Sequence, residues 1–305
     1  MSFRLLFTFA ILSVGCRTQP YEPRSEMDGA PVLVDARAPS DMTVLRDLTP
    51  PPPDFTPPPD LVPPHFCDGI FVFQEDERLA FFDPNQLTFH TIGKLNCPVG
   101  GGATPFSMAV DHAGLAWVEY TDGSLFNVDT YTAQCKPTMY MRGQHGFVTF
   151  GMGFAADAPN SPNETLYVAR GDFGGMGATP ELGSIDTKSL LLTDLAPLPD
   201  RAELTGNGAG ELWGFFAAVN PHYGRIDKMS GTVSPDISAQ ALGDVSQDAF
   251  AFGTFGGVFY VFLAPANSST TVYLLDPNKQ SVTPVLPNTG RTIVGAGVST
   301  CAPQM

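Results

Sequence analysis

Short apolar runs recur at regular spacing from Cys67 onward, separated by Gly, Pro, Asn and Asp. They include GIFVF (69–73), LAWVEY (115–120), TLYVAR (165–170), ELWGFF (211–216) and GVFYVF (257–262). Each is rich in aromatic and β-branched residues and bounded by turn residues, the pattern of a buried strand. Apolar residues at helical spacing do not persist over a useful length. A second apolar segment ending in Asp follows each run: AFFDPN (80–85), LFNVDT (125–130), GSIDTK (183–188), GRIDKM (224–229) and YLLDPN (273–278). The chain therefore reads as repeated strand–turn–strand units.

The five aspartates, Asp83, Asp129, Asp186, Asp227 and Asp276, recur 41 to 57 residues apart. A period of this size with several strands per unit is that of a propeller blade. Residues 67–301 supply about 47 residues to each of five blades, whereas seven blades would be too short for four strands each. The expected fold is an all-β, five-bladed β-propeller. Further strands at FSMAVD (106–111), MGFAAD (152–157), ELTGNG (203–208), AFAFGT (249–254) and TIVGAGVSTC (292–301) would be the first of each blade. The last would complete the blade that begins at GIFVF, closing the ring between the C-terminal and N-terminal strands. Cys67 and Cys301 would then begin and end adjacent strands, close enough for a disulfide, and Cys97 and Cys135 form the natural second pair.

The first 66 residues have a different texture. Arg4 precedes the apolar run Leu5–Leu12, and Ser13, Val14 and Gly15 lead to Cys16. This is the layout of a secretion signal, and the run is too short to span a bilayer. Gly15-Cys16 resembles a bacterial lipobox, although Ser13 stands where Leu, Val or Ile is usual. The resemblance implies cleavage after residue 15 and lipidation of Cys16, giving a membrane anchor. Ser-Val-Gly also fits ordinary signal cleavage, which would leave a free thiol. Arg17, where Asp would signal inner-membrane retention, points by the same resemblance to the outer membrane, with a periplasmic or surface-facing domain. Residues 48–64 contain nine prolines, which block helix and ladder hydrogen bonds and favour an extended spacer. The expected organisation is a signal peptide at 1–15, a lipidated Cys and disordered Pro-rich linker at 16–66, and a propeller at 67–305.

Composition narrows the function. Sixteen Lys and Arg against 31 Asp and Glu leave a net charge of −15, which disfavours nucleic acid as a partner, because phosphate binding needs a basic face; no nucleic acid is expected. An exported chain has an oxidising compartment available, so four Cys beyond Cys16 suit two disulfides. The signal, the proline stalk and blades reading SMAVDHAGLAWV, GFVTFGMGF, AELTGNGAGELWGFF and TIVGAGVSTCAP together resemble uncharacterised propeller lipoproteins of the myxobacterial type. That resemblance implies the architecture and assigns no reaction.

The candidate chemistry is sparse. The five blade aspartates sit at turns, where Asp bonds its own backbone two residues on, and their spacing matches no calcium loop. The histidines, His65, His90, His112, His145 and His222, show no metal-ligand spacing, and GDFGGMG (171–177) lacks the Lys-Ser/Thr of a phosphate loop. No cofactor and no metal are expected. Trp117 and Trp213 sit inside strands and read as core. Glycoside hydrolysis would need two carboxyl groups facing one bond. First-strand alignment puts Ser107, Gly153, Glu203, Phe250 and Gly295 at one level with Glu203 the lone acid, while Asp111 and Asp157 fall at the opposite end. No catalytic residues are assigned. Loops entering the first strands should share one mouth of the channel and carry Thr104, Gln144, His145, Arg201, Glu203, Gln247, Asp248 and Arg291. Of these, His145, Arg201, Glu203, Asp248 and Arg291 are the candidate ligand contacts. The expected function is a non-enzymatic, envelope-anchored binding module for a glycan or envelope protein, with a propeller hydrolase or lyase as the alternative.

Overall fold

The computed structural model describes residues 65–171, 179–246 and 248–304. Cys16, the signal segment, nearly all of the proline linker, Gln247 and most of the glycine run at 171–177 lie outside the described residues. Among the described residues no helix is long and apolar enough to cross a membrane.

Among the described residues twenty strands form five four-stranded antiparallel sheets. Strands β1 (Ile70–Gln74), β2 (Arg78–Asp83) and β3 (Thr88–Lys94) belong to the first blade. The second holds β4 (Pro105–Val110), β5 (Leu115–Tyr120), β6 (Leu125–Asp129) and β7 (Cys135–Pro137). The third holds β8 (Phe150–Ala156), β9 (Glu164–Arg170), β10 (Glu181–Ile185) and β11 (Leu192–Pro197). The fourth holds β12 (Ala202–Gly206), β13 (Leu212–Phe216), β14 (His222–Ile226) and β15 (Val233–Ser238). The fifth holds β16 (Ala249–Phe255), β17 (Val258–Ala264), β18 (Thr271–Asp276) and β19 (Ser281–Leu286). The last strand, β20 (Ile293–Gly297), pairs with β1 as the innermost strand of the first blade. Neighbouring innermost strands pack against one another in the ring order β20, β4, β8, β12, β16. The protein is a five-bladed β-propeller closed between its chain ends.

Burial explains the sequence pattern. Strands such as β1, β8 and β13 are buried along their whole length, so they read as continuous apolar runs. Outer strands such as β11 and β15 expose most positions and show only scattered apolar residues. The apolar side chains form five clusters, each between two neighbouring blades. Trp117 packs beside Phe154 of the next blade, and Trp213 beside Phe259. Both indoles are core.

The five aspartates build one turn five times. In each, Oδ1 accepts hydrogen bonds from the backbone N–H groups two and three residues on. The residue four positions on has positive φ in every case: Leu87, Ala133, Leu190, Gly231 and Gln280. Side-chain capping of two N–H groups offsets the backbone strain at that residue. These bonds hold Asp129, Asp186 and Asp227 below the usual carboxylate range, those at Asp129 outweighing an opposing effect of partial burial; at Asp276 the Lys279 side chain lowers the carboxyl most and the backbone bonds add to it.

Two disulfides pin the ring. Cys67–Cys301 and Cys97–Cys135 have Cα separations of 5.3 and 5.2 Å. Both Cys67 and Cys301 lie just outside the strands, since β1 starts at Ile70 and β20 ends at Gly297. The bridge therefore joins the incoming and outgoing chain rather than two strand ends. Phe66, placed in the linker by sequence, already packs against the core between the first two blades.

Candidate functional site

At the propeller axis the innermost strands approach closely. A Cβ on Gly151 would stand 2.0 Å from the Ala202 carbonyl oxygen, and one on Gly206 2.3 Å from that of Phe154. Only glycine permits this backbone contact. Gly151 lies level with Glu203, and Gly153 with Thr205, so sequence alignment displaced the third blade by two residues.

The carboxyl groups near this axis are enclosed. Glu203 is 2% exposed and its Oε2 accepts from Ser107 Oγ at 3.0 Å. Glu119, on β5, is fully buried, and its Oε2 accepts from the Phe150 N–H at 3.1 Å while Oε1 has no partner. Burial pushes both carboxyls well above the usual range, and Glu203 adds to the effect on Glu119 by charge repulsion. Loss of hydration disfavours the ionised form at both positions.

The other residues expected at the mouth separate. The loop 138–149 folds over the outer strand β11, so His145 Nδ1 lies 2.8 Å from an Asp194 carboxylate oxygen and Gln144 bonds the backbone of Leu190 and Leu192. Arg291 reaches Gln74 and Thr91 of the first blade and covers the Phe89 ring. Arg201 donates to the backbone oxygens of Ala217 and Ser246, which brings it beside the segment carrying Asp248. Partial burial and the Asp244 charge raise the Asp248 carboxyl. Thr104 pairs with Thr121. Arg201 and Asp248 thus share one edge, while His145 and Arg291 are drawn toward outer strands and Glu203 points inward.

The described clefts open elsewhere. Four of them take lining from connections between first and second or third and fourth strands. That is the face opposite the expected mouth. The one around the axis has a volume of about 640 Å³ and takes residues from four blades, including His112, Asn160, Ser161, Ala209, Thr300 and Gln304. Its floor is the C-terminal segment, held by the Cys67–Cys301 bridge and by the Gly256 N–H on the Pro303 oxygen.

A hydrogen-bonded chain from three blades stands at one side, with His112 and Thr300 on the cleft wall and Glu164 behind them. His112 Nδ1 is 3.0 Å from Thr300 Oγ1, which donates to Glu164 Oε2 at 2.8 Å, and the His112 N–H donates to Glu164 Oε1. Burial raises the Glu164 carboxyl, and these two donors oppose the shift. Sequence reading placed Asp111 at this end and weighed its neighbour His112 only as a metal ligand. Thr300 and Glu164 had no motif; the only signal was that Thr300 adjoins the bridged Cys301. Among the described residues no group of three His, Cys, Asp or Glu side chains is arranged to hold a metal ion.

No protein-family model and no curated protein matches this sequence. One similar solved structure is a chain in "Crystal structure of Nidogen/Laminin Complex", at 13% identity and a TM-score of 0.43, covering 77% of this chain and 87% of that one.

Proposed function

We propose that this chain is exported, anchored by a lipid on Cys16 to the outer membrane, and acts there as a non-enzymatic binding module for a glycan or envelope protein. The observation that carries the binding reading is the axial cleft of about 640 Å³, a size in the range of small-ligand sites. Two disulfides support an oxidising compartment. The sealed state of Glu119 and Glu203 supports binding over the hydrolase alternative, because hydrolysis needs two carboxyl groups reaching one bond.

Two experiments test this. Fractionation should find the full chain in membranes and a Cys16→Ser variant released from them; an unchanged distribution would remove the lipid anchor. A thermal-shift screen of the full chain against sugars, cell-wall fragments and envelope extracts should yield a stabilising ligand. Ligand contact at Arg201 and Asp248, the two mouth residues that stay together, is the competing placement, and variants at both belong in the same screen.

A further inference from the structure

We infer that the axial cleft takes a neutral, hydroxyl-bearing ligand of the saccharide class, one hydroxyl of which donates to Nε2 of His112. The inference rests on the reading of that cleft as the binding site and assigns its chemistry.

Glu164 fixes where the protons lie. Its two oxygens each receive a donor, the His112 N–H and the Thr300 hydroxyl, which fits the carboxylate form. Thr300 has a single hydroxyl hydrogen and gives it to Glu164, so toward His112 its oxygen can only accept. Nδ1 of His112, 3.0 Å away, must therefore carry the hydrogen. In the neutral imidazole this leaves Nε2 as an acceptor. No described protein group bonds Nε2, and His112 lines the cleft. Thr300 and Glu164 are positioning residues that fix the tautomer; His112 makes the contact.

The remaining lining sets the ligand class. Asn160, Ser161 and Gln304 are neutral groups that donate and accept, and among the described residues no Lys, Arg, Asp or Glu side chain lines the cleft. In a chain of net charge −15, such a lining offers an anion no ion pair. Hydroxyl groups, which both donate and accept, match this mixture. Among the described residues the charged groups facing the imidazole are Asp111 beside it in the chain and Glu164 on β9.

Nitrogen-15 NMR of the full chain reads the tautomer directly, and titration with maltose, cellobiose and chitobiose, with glucuronate as the anionic control, reads the ligand class. The expected results are an Nδ1–H tautomer in the wild type, its loss in Thr300→Val, and its rescue in Thr300→Ser. Binding of a neutral sugar should weaken about five-fold in Thr300→Val, the effect of one neutral hydrogen bond. An Nε2–H tautomer in the wild type would overturn the inference. So would sugar binding that ignores Thr300→Val, or glucuronate binding at least as tightly as the neutral sugars. If no sugar binds, the ligand class falls. The cleft as a binding site is judged separately, by the variants that close the Discussion.

Discussion

Ser107 and Glu203, 96 residues apart in the chain and on non-adjacent blades, meet at the propeller axis through a 3.0 Å hydrogen bond. The bond ties the second blade to the fourth past the innermost strand of the third. It also gives a buried carboxyl one of its few donors. Ser107→Ala should therefore destabilise the fold by about 1–3 kcal/mol, the effect of leaving a buried acceptor short of a partner. Denaturant titration reads this, and an unchanged midpoint would mean that the bond contributes nothing.

The buried carboxyls predict an unusual pH dependence. Glu119 and Glu203 have folded-state pKa values above their unfolded ones. Their favourable contribution is complete below the unfolded value, about 4.3, and is lost as pH rises toward the folded value. Over that window each group should lower stability by about 1.4 kcal/mol per pH unit. Glu119→Gln should flatten the decline and raise the melting temperature at neutral pH. A variant less stable than wild type at pH 8 would contradict this.

The turn aspartates act in the opposite sense. Their depressed values mean stability that is present above the unfolded Asp value and lost as pH falls through the folded one. Asp227→Ala should lower the melting temperature slightly at pH 7, with the difference vanishing at low pH. A difference that persists in acid would show that the carboxylate is not its source.

Close packing at the axis predicts a steric effect. Gly151→Ala would place a methyl carbon against the Ala202 carbonyl and force the third and fourth blades apart. The cost should reach or exceed about 3 kcal/mol, the upper part of the usual overpacking range. Recovery of soluble, fully stable protein would show that the strands can separate freely.

The two bridges should differ in strength. Closing 234 residues at Cys67–Cys301 restricts the unfolded chain more than closing 38 at Cys97–Cys135, roughly 5 against roughly 4 kcal/mol by loop entropy. Paired Cys→Ala variants measured by denaturation should keep that order. A reversal would point to structure retained in the unfolded chain.

Architecture was legible because period and packing share one cause. Innermost and middle strands are buried on both faces, so apolar runs such as GVFYVF stand out, and the recurring Asp marks a turn whose geometry needs a side-chain acceptor. Ring closure followed from the orphan strand at 292–301, and the disulfide partners followed from closure. The site was less legible because side chains along one loop do not share one direction. His145 and Arg291 sit in loops that enter innermost strands, yet both turn to partners on outer ones. His112, Glu164 and Thr300 come from three blades with no common spacing, so only the folded ring brings them together.

The proposed ligand site is the axial cleft on the face of the first-to-second strand connections. Ala209 is exposed on its rim, so Ala209→Trp should fill the cleft without disturbing a blade. Thermal shift would be compared for wild type, Ala209→Trp and a paired Arg201→Ala/Asp248→Asn variant, using whichever compound stabilises the wild type. At a hundredfold excess over its dissociation constant, that compound should add about 2.7 kcal/mol to the wild type. The account predicts that Ala209→Trp abolishes this shift and the paired variant keeps it. Retention by Ala209→Trp with loss in the paired variant would contradict the claim and return the site to the opposite mouth.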